Sequence, residues 1–529
     1  MYTTRNRFFK LIMIAVLAVM IAFLWPFVLS FNVHTDVVTL WSDGSLGLLP
    51  SFRRSCLFAV VSSCVNTYFG LQLAISLRRI PLTSKTGTLL SALLLPVLLG
   101  NVTISYIFKC SLYGTPFFDF IISGGKWTQF ITLIVIQFWQ YGFLFIYLFW
   151  LSIRQIPESR FVYAMSVKMT DKEIIRDIIF PSVKILLILL FIINFVFAFY
   201  ESAKCQFIFK MSQGMETELL SQALSRIHYS LSISNPVATQ ALTLKFGLLI
   251  TCLVIFLVVA CALSLYGIFG IRKSSKVFLK TSAKRGEFIT YVCVLCTIIP
   301  IVVALVKSNY AFSWDSLLDI VIPLLMTIVS AFFASVLAIV FGIAYRIVLN
   351  KLSDILSVKS VVVLLSVFLL QLLPPICIVI CGYKWMSVAG YHGVMPYVVW
   401  IWGHPIFTFP ILASFIIATH YLVSSNEIDW LNVHRMTKRD VIKYSFVKRF
   451  KKDYVLTFLF AFTFIWNDVT LNKVLSDKIP SFADKMQRLF IGRAANDAQA
   501  TLYALIALLI AALCVVLWKS VIKQISTVK

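Results

Sequence analysis

Long apolar blocks separated by short polar stretches organise this sequence from end to end. Many blocks run for about 18 residues or more with almost no charge, which is enough for a helix to cross about 30 Å of hydrocarbon. The blocks lack the two-residue alternation of a membrane barrel strand, so the pattern predicts helices. Hydropathy predicts about twelve spans, of which the fifth and the eleventh need flanking residues to be long enough. The predicted spans are 11–29, 56–76, 89–107, 130–151, 184–199, 241–267, 288–306, 320–345, 361–381, 397–418, 455–466 and 500–517.

Composition and charge agree with this fold class. Of the 529 residues, 60% are apolar and 13% are charged, whereas a soluble fold would mix polar positions into each element. The net charge of +25 does not indicate a nucleic-acid partner, because the basic residues collect in alternate loops, which the positive-inside rule makes cytoplasmic. We therefore expect an all-α, multi-pass protein of the bacterial cytoplasmic (inner) membrane with both termini inside. The basic loops lie at 5–10, 78–85, 154–176, 272–285 and 435–452.

An internal repeat divides the chain into two halves. The segment 168–176 (Lys-Met-Thr-Asp-Lys-Glu-Ile-Ile-Arg) is similar to 435–443 (Arg-Met-Thr-Lys-Arg-Asp-Val-Ile-Lys), 267 positions later. The same offset relates two acids, Glu201 and Asp468, each just past a short predicted span. With six spans in each half, the halves run parallel rather than inverted. The expected division is a first half at 1–270, a basic cytoplasmic linker at 271–287 and a second half at 288–529.

Both repeated segments are predicted to form short amphipathic helices on the cytoplasmic side. Thr170 followed by Glu173 is a capping-box pattern, and the second copy approximates it. Behind the first cap, the isoleucines between positions 174 and 179 form one apolar stripe, and Pro181 is expected to end the helix. Such a helix can be a connector on the membrane surface, held by acidic lipid, or a docking helix for a cytoplasmic partner. Its occurrence at matching places in both halves favours docking.

Charged residues within or beside the spans are candidates for function, because burying a charge in lipid is costly. Glu201 and Asp468 are candidates for a solute path or for a structural role, since each half has one. Lys245 lies inside the sixth predicted span and could reach the interface, pair with an acid or touch solute. No set of residues has metal-ligand spacing, so we expect no metal site.

The segment 156–181 resembles the EAA loop of the permeases of ABC importers. Ala164 matches the third position of the E-A-A motif, and Met169 and Thr170 match the small residues after the family's glycine. The run 178–181 (Ile-Ile-Phe-Pro) matches the closing apolar-x-Leu-Pro. In that family the loop follows the fourth span of a six-span unit, as both copies do here. The layout of two fused six-span halves is similar to the ferric-iron, thiamine and phosphonate importer permeases.

Several positions depart from the family's pattern. Val162–Tyr163 stands where Glu and Ala are usual, and Lys168 replaces the glycine. In the second half, Asp429 holds the acidic position, but Arg435 replaces the glycine and Lys448 stands in place of the proline.

The resemblance implies that each EAA-like helix docks into a cleft on one of two ATP-binding ABC subunits, through coupling helices at 166–176 and 433–443. These subunits would be separate chains, because this sequence has no G-x-x-x-x-G-K-[ST] phosphate loop. The chain itself would then be no enzyme and bind no cofactor, and a periplasmic solute-binding protein would contact the outer loops at 204–240 and 467–499. The residues implicated in coupling are Ala164, Lys168, Met169, Thr170, Glu173, Ile174 and Pro181, with Asp429, Arg435, Met436, Thr437, Asp440 and Val441 in the second half.

Two other classes of protein compete with this interpretation. A twelve-span secondary transporter of the major facilitator kind also has two six-span halves with both ends inside. It predicts a basic turn containing Gly and Asp between spans two and three, where this chain has Leu-Arg-Arg-Ile-Pro at 77–81. A membrane-embedded enzyme would need clustered histidines or carboxylates at one membrane face, and the six histidines are scattered. The solute stays open among ferric iron, thiamine, a phosphonate and other small solutes.

Overall fold

The fold is all-α, and no β-strand occurs in the part of the chain that the structure describes. The structure is a computed structural model, and the statements below concern the residues that it describes. These are 25–30, 47–80, 84–154, 156–201, 204, 208, 219–231, 236–270, 283–308, 314–349, 373, 375–389, 458–459, 461–462, 465–466, 481–491 and 497–526.

Fifteen helices, numbered here in chain order, are used in the description. The helices are α1 (Trp25–Ser30), α2 (Leu48–Leu77), α3 (Lys85–Leu98), α4 (Gly100–Leu112), α5 (Pro116–Ser123), α6 (Gly125–Arg154), α7 (Glu158–Ser166), α8 (171–199), α9 (Leu220–Leu231), α10 (Pro236–Gly270), α11 (Ala283–Lys307), α12 (Trp314–Leu349), α13 (Pro375–Ala389), α14 (Phe482–Ile491) and α15 (Asp497–Ser526). Three of them contain a turn of another helical type: a 3₁₀ turn at Leu90–Leu94 in α3, and π turns at Phe138–Gly142 in α6 and Ile175–Ile179 in α8.

Six of these helices contain a segment long and apolar enough to cross a membrane, and two bent pairs bring the number to eight if each is one span. One pair is α3 with α4, bent by 95° where Gly100 has a φ of 72°; the other is the two parts of α8, bent by 58°. The eight match eight predicted spans, and the prediction of a multi-pass membrane protein is confirmed at this level. In each of the other four, at 11–29, 361–381, 397–418 and 455–466, half or more of the residues lie outside the described part of the chain, so the number twelve stays a prediction.

The core is centred on α2, which packs along both α6 and α8. A Cβ atom on Gly70 of α2 would lie 2.8 Å from the Cβ of Phe145 on α6, so glycine allows these two helices to approach closely. At one end of this pair, Trp150 Nε1 donates to the Leu77 carbonyl at 3.1 Å and Arg154 donates to the Arg78 carbonyl at 3.2 Å. The ends of α2 and α6 that carry these arginines therefore lie at the same face, as the positive-inside rule predicts.

Buried amides join α2 to α8 within the apolar core. Asn66 Nδ2 donates to Asn194 Oδ1 at 3.0 Å, and Asn194 Nδ2 donates to Ser63 Oγ at 3.0 Å. Hydrogen bonds of this kind hold membrane helices together where lipid offers no partner, typically by about 1 kcal/mol each.

Helices from the later part of the chain pack against the earlier ones. Trp139 Nε1 on α6 donates to the Cys296 carbonyl of α11 at 3.0 Å. Trp518 Nε1 on α15 donates to the Tyr147 hydroxyl of α6 at 2.8 Å. Residues on both sides of the predicted linker therefore share one buried core.

Two columns of aromatic rings lie on the stretches that follow the two repeated segments. In the first column, successive ring centroids are 6.3 and 6.1 Å apart, and in the second they are 6.2 and 6.4 Å apart. Each ring of the second column comes 267 positions after one of the first, which is the offset of the repeat. The columns are Phe191, Phe195 and Phe199 on α8, and Phe458, Phe462 and Trp466.

A matching pair of hydrogen bonds holds the start of two short helices, α9 and α14. The Ser55 hydroxyl of α2 accepts from the backbone N–H of Leu220, the first residue of α9, at 2.9 Å. The Thr327 hydroxyl of α12 accepts from the backbone N–H of Phe482, the first residue of α14, at 3.0 Å. In both cases a hydroxyl of a membrane-spanning helix satisfies one N–H that a helix start leaves unpaired.

Candidate functional site

The segment that resembles an EAA loop folds as helix, turn and helix. The first helix, α7, ends in a Schellman turn: Met169 N–H donates to the Ala164 carbonyl at 2.9 Å and Lys168 N–H donates to the Met165 carbonyl at 3.1 Å. This turn normally brings an apolar side chain after the helix against one in its last turn. Here Ala164 is fully buried and Met169 packs on the core.

Lys168 occupies the residue of this turn that needs a left-handed backbone. Its φ is 55°, and no other non-glycine residue that the structure describes has a positive φ. Glycine is the usual residue at such a position because it has no Cβ to clash. Lys168 stands where the EAA pattern has glycine, and its backbone adopts the same left-handed conformation that glycine would adopt.

Thr170 and Glu173 form the predicted capping box at the start of α8. Thr170 N–H donates to Glu173 Oε2 at 2.7 Å, and the Thr170 hydroxyl donates to the same oxygen at 2.9 Å. The Glu173 N–H lies 3.4 Å from the Thr170 hydroxyl oxygen, which completes the reciprocal arrangement. The hydrogen bonds from Thr170, chiefly the backbone one, hold the pKa of Glu173 below its ordinary value.

The predicted apolar stripe of α8 is confirmed, and it faces the core of this chain. Ile174, Ile178 and Ile179 are buried in the core cluster, while Arg176 and Asp177 are exposed. The side chain of Ile174 therefore supports the segment from within.

The expectation that Pro181 ends the helix is wrong, because α8 continues through Pro181 to residue 199. The turn before it, Ile175–Ile179, is π-helical, and Phe180 N–H donates to the Ile175 carbonyl five residues back. This wider turn accommodates a residue that has no N–H of its own to donate. The helix bends by 58° just beyond, between Ile175–Val183 and Leu186–Phe199. The short fifth span thus gains length from the amphipathic segment, as predicted.

The outward face of α7 and its turn is apolar. Val162, Tyr163, Met165 and Val167 are each between 56% and 67% exposed. We call these four side chains the α7 patch. The Arg78 guanidinium lies 4.9 Å from the ring centroid of Phe161, one turn before Met165 on α7, and this contact holds the helix near the end of α2.

The α7 patch is framed by charge. Eight of the twenty residues from 158 to 177 are charged, and Lys168, Arg176 and Asp177 are exposed beside it. Of the other implicated residues, Thr170 and Pro181 are exposed and Glu173 is half-buried. The predicted residues of the second copy, and Asp468, lie outside the described residues; they are Asp429, Arg435, Met436, Thr437, Asp440 and Val441.

Glu201, the predicted acid beyond the fifth span, is buried and paired. Lys204 Nζ lies 2.7 Å from Glu201 Oε2, and the two side chains are only 0% and 1% exposed. The backbone N–H of Lys204 also donates to Glu201 Oε1 at 3.1 Å. Sequence reasoning missed Lys204, although its spacing of three residues from an acid was a usable signal.

Residues of α6 complete the surroundings of this ion pair. Lys204 Nζ also donates to Gln137 Oε1, and it lies 5.5 Å from the ring centroid of Tyr141. Because Gln137 must present its oxygen to the ammonium, its Nε2 points away, and this buried nitrogen has no hydrogen-bond partner among the described residues. Lys245, the third candidate for a solute path, is half-buried on α10.

No protein-family model, curated protein or solved structure matches this chain. The arrangement itself offers an apolar patch framed by charge at the face of Arg78 and Arg154. Deeper in the bundle, Glu201 and Lys204 neutralise each other, which avoids the cost of a single unpaired charge at that depth. Two chemical possibilities follow. The α7 patch is a surface to which a soluble partner could bind, and the Glu201–Lys204 pair is a polar site inside the membrane bundle.

Proposed function

We propose that this chain is the transmembrane permease subunit of an ATP-driven, binding-protein-dependent importer of the bacterial inner membrane. The segment from α7 to the start of α8 would dock one ATP-binding ABC subunit, and the second copy around 433–443 would dock another. A periplasmic solute-binding protein would deliver the solute on the opposite side. ATP hydrolysis then takes place on the partner subunits, and this chain forms the path.

The α7 patch is the observation that carries this proposal. Apolar side chains that face water are unfavourable unless something covers them, and each contributes about 1.5–3 kcal/mol when it is fully buried. A surrounding frame of both signs of charge fits a protein partner, because apolar cores with polar rims are characteristic of protein interfaces. The Schellman turn and the capping box that follow α7 fix the backbone next to the patch, which suits a segment that would pass on the movement of a partner.

Internal symmetry supports two docking sites and two fused halves. The aromatic columns on α8 and at 458–466 are related by the offset of the repeated segments. The hydroxyl groups of Ser55 and Thr327 make similar hydrogen bonds to the first residues of α9 and α14, although the hydroxyl residues are 272 positions apart and the helix starts 262. At the repeat offset, the four positions of the α7 patch are Asp429, Trp430, Asn432 and His434, so a second docking site rests on the similarity of 435–443 to 168–176 and not on a second apolar patch.

Glu201 is proposed to line the solute path together with Asp468 and Lys245. In the described conformation its charge is neutralised by Lys204. A solute that contacts the Glu201 carboxylate therefore has to compete with this ammonium, so the ion pair would open during transport.

The test is to co-purify the chain with its partners in mild detergent and to compare Tyr163→Glu with Tyr163→Phe. A charge in the centre of a buried apolar interface should weaken binding of the ATP-binding subunit by about 30-fold or more, the size of a hot-spot loss, and reduce its recovery accordingly. Tyr163→Phe retains the aromatic ring and should bind normally. Equal recovery with both variants would remove the α7 patch from the interface. A wild-type chain that purifies alone and drives uptake under an ion gradient would instead be a secondary transporter.

A further inference from the structure

A second exposed apolar surface lies at the opposite end of the bundle, around α5. Tyr113, Phe117, Phe120 and Trp127 are each between 59% and 67% exposed. We call these four side chains the α5 patch. They lie between the end of α4 and the start of α6, whose other end holds Arg154 beside Arg78.

Hydrogen bonds at both ends of α5 hold the helix against its neighbours. The Thr115 hydroxyl caps α5 by accepting from Phe118 N–H at 3.1 Å. The Thr128 hydroxyl of α6 donates to the Ile121 carbonyl of α5 at 2.7 Å, and the Ile121 side chain is buried. These contacts fix α5 with its aromatic side chains facing outward.

The α5 patch continues the lipid-facing side of a membrane span. Trp127, Ile131 and Val135 are spaced four residues apart, so they lie on one face of α6. Ile131 and Val135 are each 58% exposed, although they lie within a candidate span, and lipid is therefore their surroundings. Trp127 is at the end of this stripe, where a span meets the interface.

The α5 patch has fewer charged residues around it than the α7 patch. Between residues 113 and 127 only Asp119 and Lys126 are charged. Lys307 at the end of α11 donates to the Ser111 and Tyr113 carbonyls at 3.2 and 3.3 Å, which places an ammonium at the edge of this surface. Aromatic rings with a few basic residues at the end of a span are typical of the headgroup region of a bilayer.

We propose that α5 and its flanking aromatic residues anchor the protein in the headgroup region of the leaflet opposite Arg78 and Arg154. The partner of the α5 patch is a phospholipid surface, and α5 lies in the interface while α4 and α6 cross the membrane. A solute-binding protein would then contact other outer segments. This assignment depends on the membrane fold alone, so it stands or fails independently of the proposed transport function.

The experiment replaces Phe120 with photoreactive p-benzoylphenylalanine and irradiates native membranes that contain the full chain. We expect a phospholipid adduct at position 120 and, as the reference, at position 131 on the α6 stripe. A protein adduct at position 120 would overturn the proposal and make the α5 patch a docking surface. No adduct at 120, with a lipid adduct at 131, would mean that the patch faces water. The same probe at position 163 reports separately on the proposed ATPase contact.

A second measurement uses a milder substitution. In nanodiscs, the difference in fluorescence between the wild type and Trp127→Phe gives the contribution of Trp127. Lipids brominated near the headgroup should quench this contribution more strongly than lipids brominated near the chain end. Equal or absent quenching would contradict the interfacial position.

Discussion

An ion pair lies near each end of α8, and the two pairs differ in their exposure to solvent. Near its start, Arg176 and Asp177 form an ion pair at 2.6 Å with side chains that are 60% and 39% exposed. Beyond its end, Glu201 and Lys204 form an ion pair at 2.7 Å whose side chains are almost completely buried. The distances are nearly equal, yet solvent and salt screen the first pair, whereas the second is shielded from bulk solvent by the surrounding side chains.

This difference shows that the distance between the two charges does not by itself determine how strongly an ion pair affects stability. The exposed charges around Arg176 are available to a partner and contribute little to holding the fold together. The buried pair is available to a solute only after Glu201 and Lys204 separate, and each then needs another partner. This contrast accords with the proposed roles, which are docking at the start of α8 and a solute path beyond its end.

The largest expected effect comes from removing one member of the buried pair. Lys204→Met leaves the Glu201 carboxylate buried without its counter-ion, and we expect it to destabilise the protein by about 3–5 kcal/mol. Unfolding of the purified chain in detergent, followed by helix signal, measures the change. The double variant Glu201→Gln with Lys204→Met should recover most of the loss, because it leaves no isolated charge.

The exposed pair is the matched control. Arg176→Met and Asp177→Asn change similar atoms at the other end of α8, and we expect their effect on unfolding to be small. If the exposed and buried variants cost the same, or if the double variant is as unstable as Lys204→Met, the contrast between the two ends is incorrect.

Sequence patterns were sufficient where the determining contacts are local. Thr170 and Glu173 are three residues apart, so the capping box follows from spacing alone. The isoleucine stripe follows from helix period, and the spans follow from hydropathy. Pro181 was misjudged because the π turn before it has no recognisable sequence signal, and that turn lets the helix continue.

Contacts between distant parts of the chain could not be predicted from sequence patterns. The pairing of Lys204 with Gln137 joins residues 67 positions apart and depends on the chain passing back into the bundle after α8. The burial of Ala164 and the exposure of Tyr163 depend on how α7 lies against the end of α2. Neither follows from a pattern along one helix, since both are set by packing between helices.

A smaller effect is expected at Lys168, in the exposed segment. A left-handed backbone costs a residue with a Cβ about 1–2 kcal/mol, so Lys168→Gly should stabilise the protein by about 1 kcal/mol after the extra entropy of glycine in the unfolded chain. Lys168→Ala removes the same charge but retains the Cβ and should give no gain. Thermal unfolding of the two variants separates backbone strain from charge. Equal stabilisation by both would show that the lysine charge, and not its φ of 55°, is the unfavourable feature.

The smallest effect is expected at the cap itself and depends on pH. In Thr170→Ala the hydroxyl hydrogen bond to Glu173 is lost while the backbone N–H remains, so the pKa of Glu173 should rise part of the way to its ordinary value. A carboxylate with a lowered pKa stabilises the fold at neutral pH, and this contribution disappears as the pH falls through that pKa. The cap of Thr170→Ala should therefore fail at a higher pH than the wild-type cap. Hydrogen exchange of the Glu173 and Ile174 amides, compared at matched pH, should be about two- to threefold faster in the variant at neutral pH, as for an N-cap at the weak end of the usual range. Thr170→Ser keeps the hydroxyl and should exchange like the wild type; a Ser variant that exchanges as fast as the Ala variant would mean that the threonine methyl group, and not its hydroxyl, holds the turn.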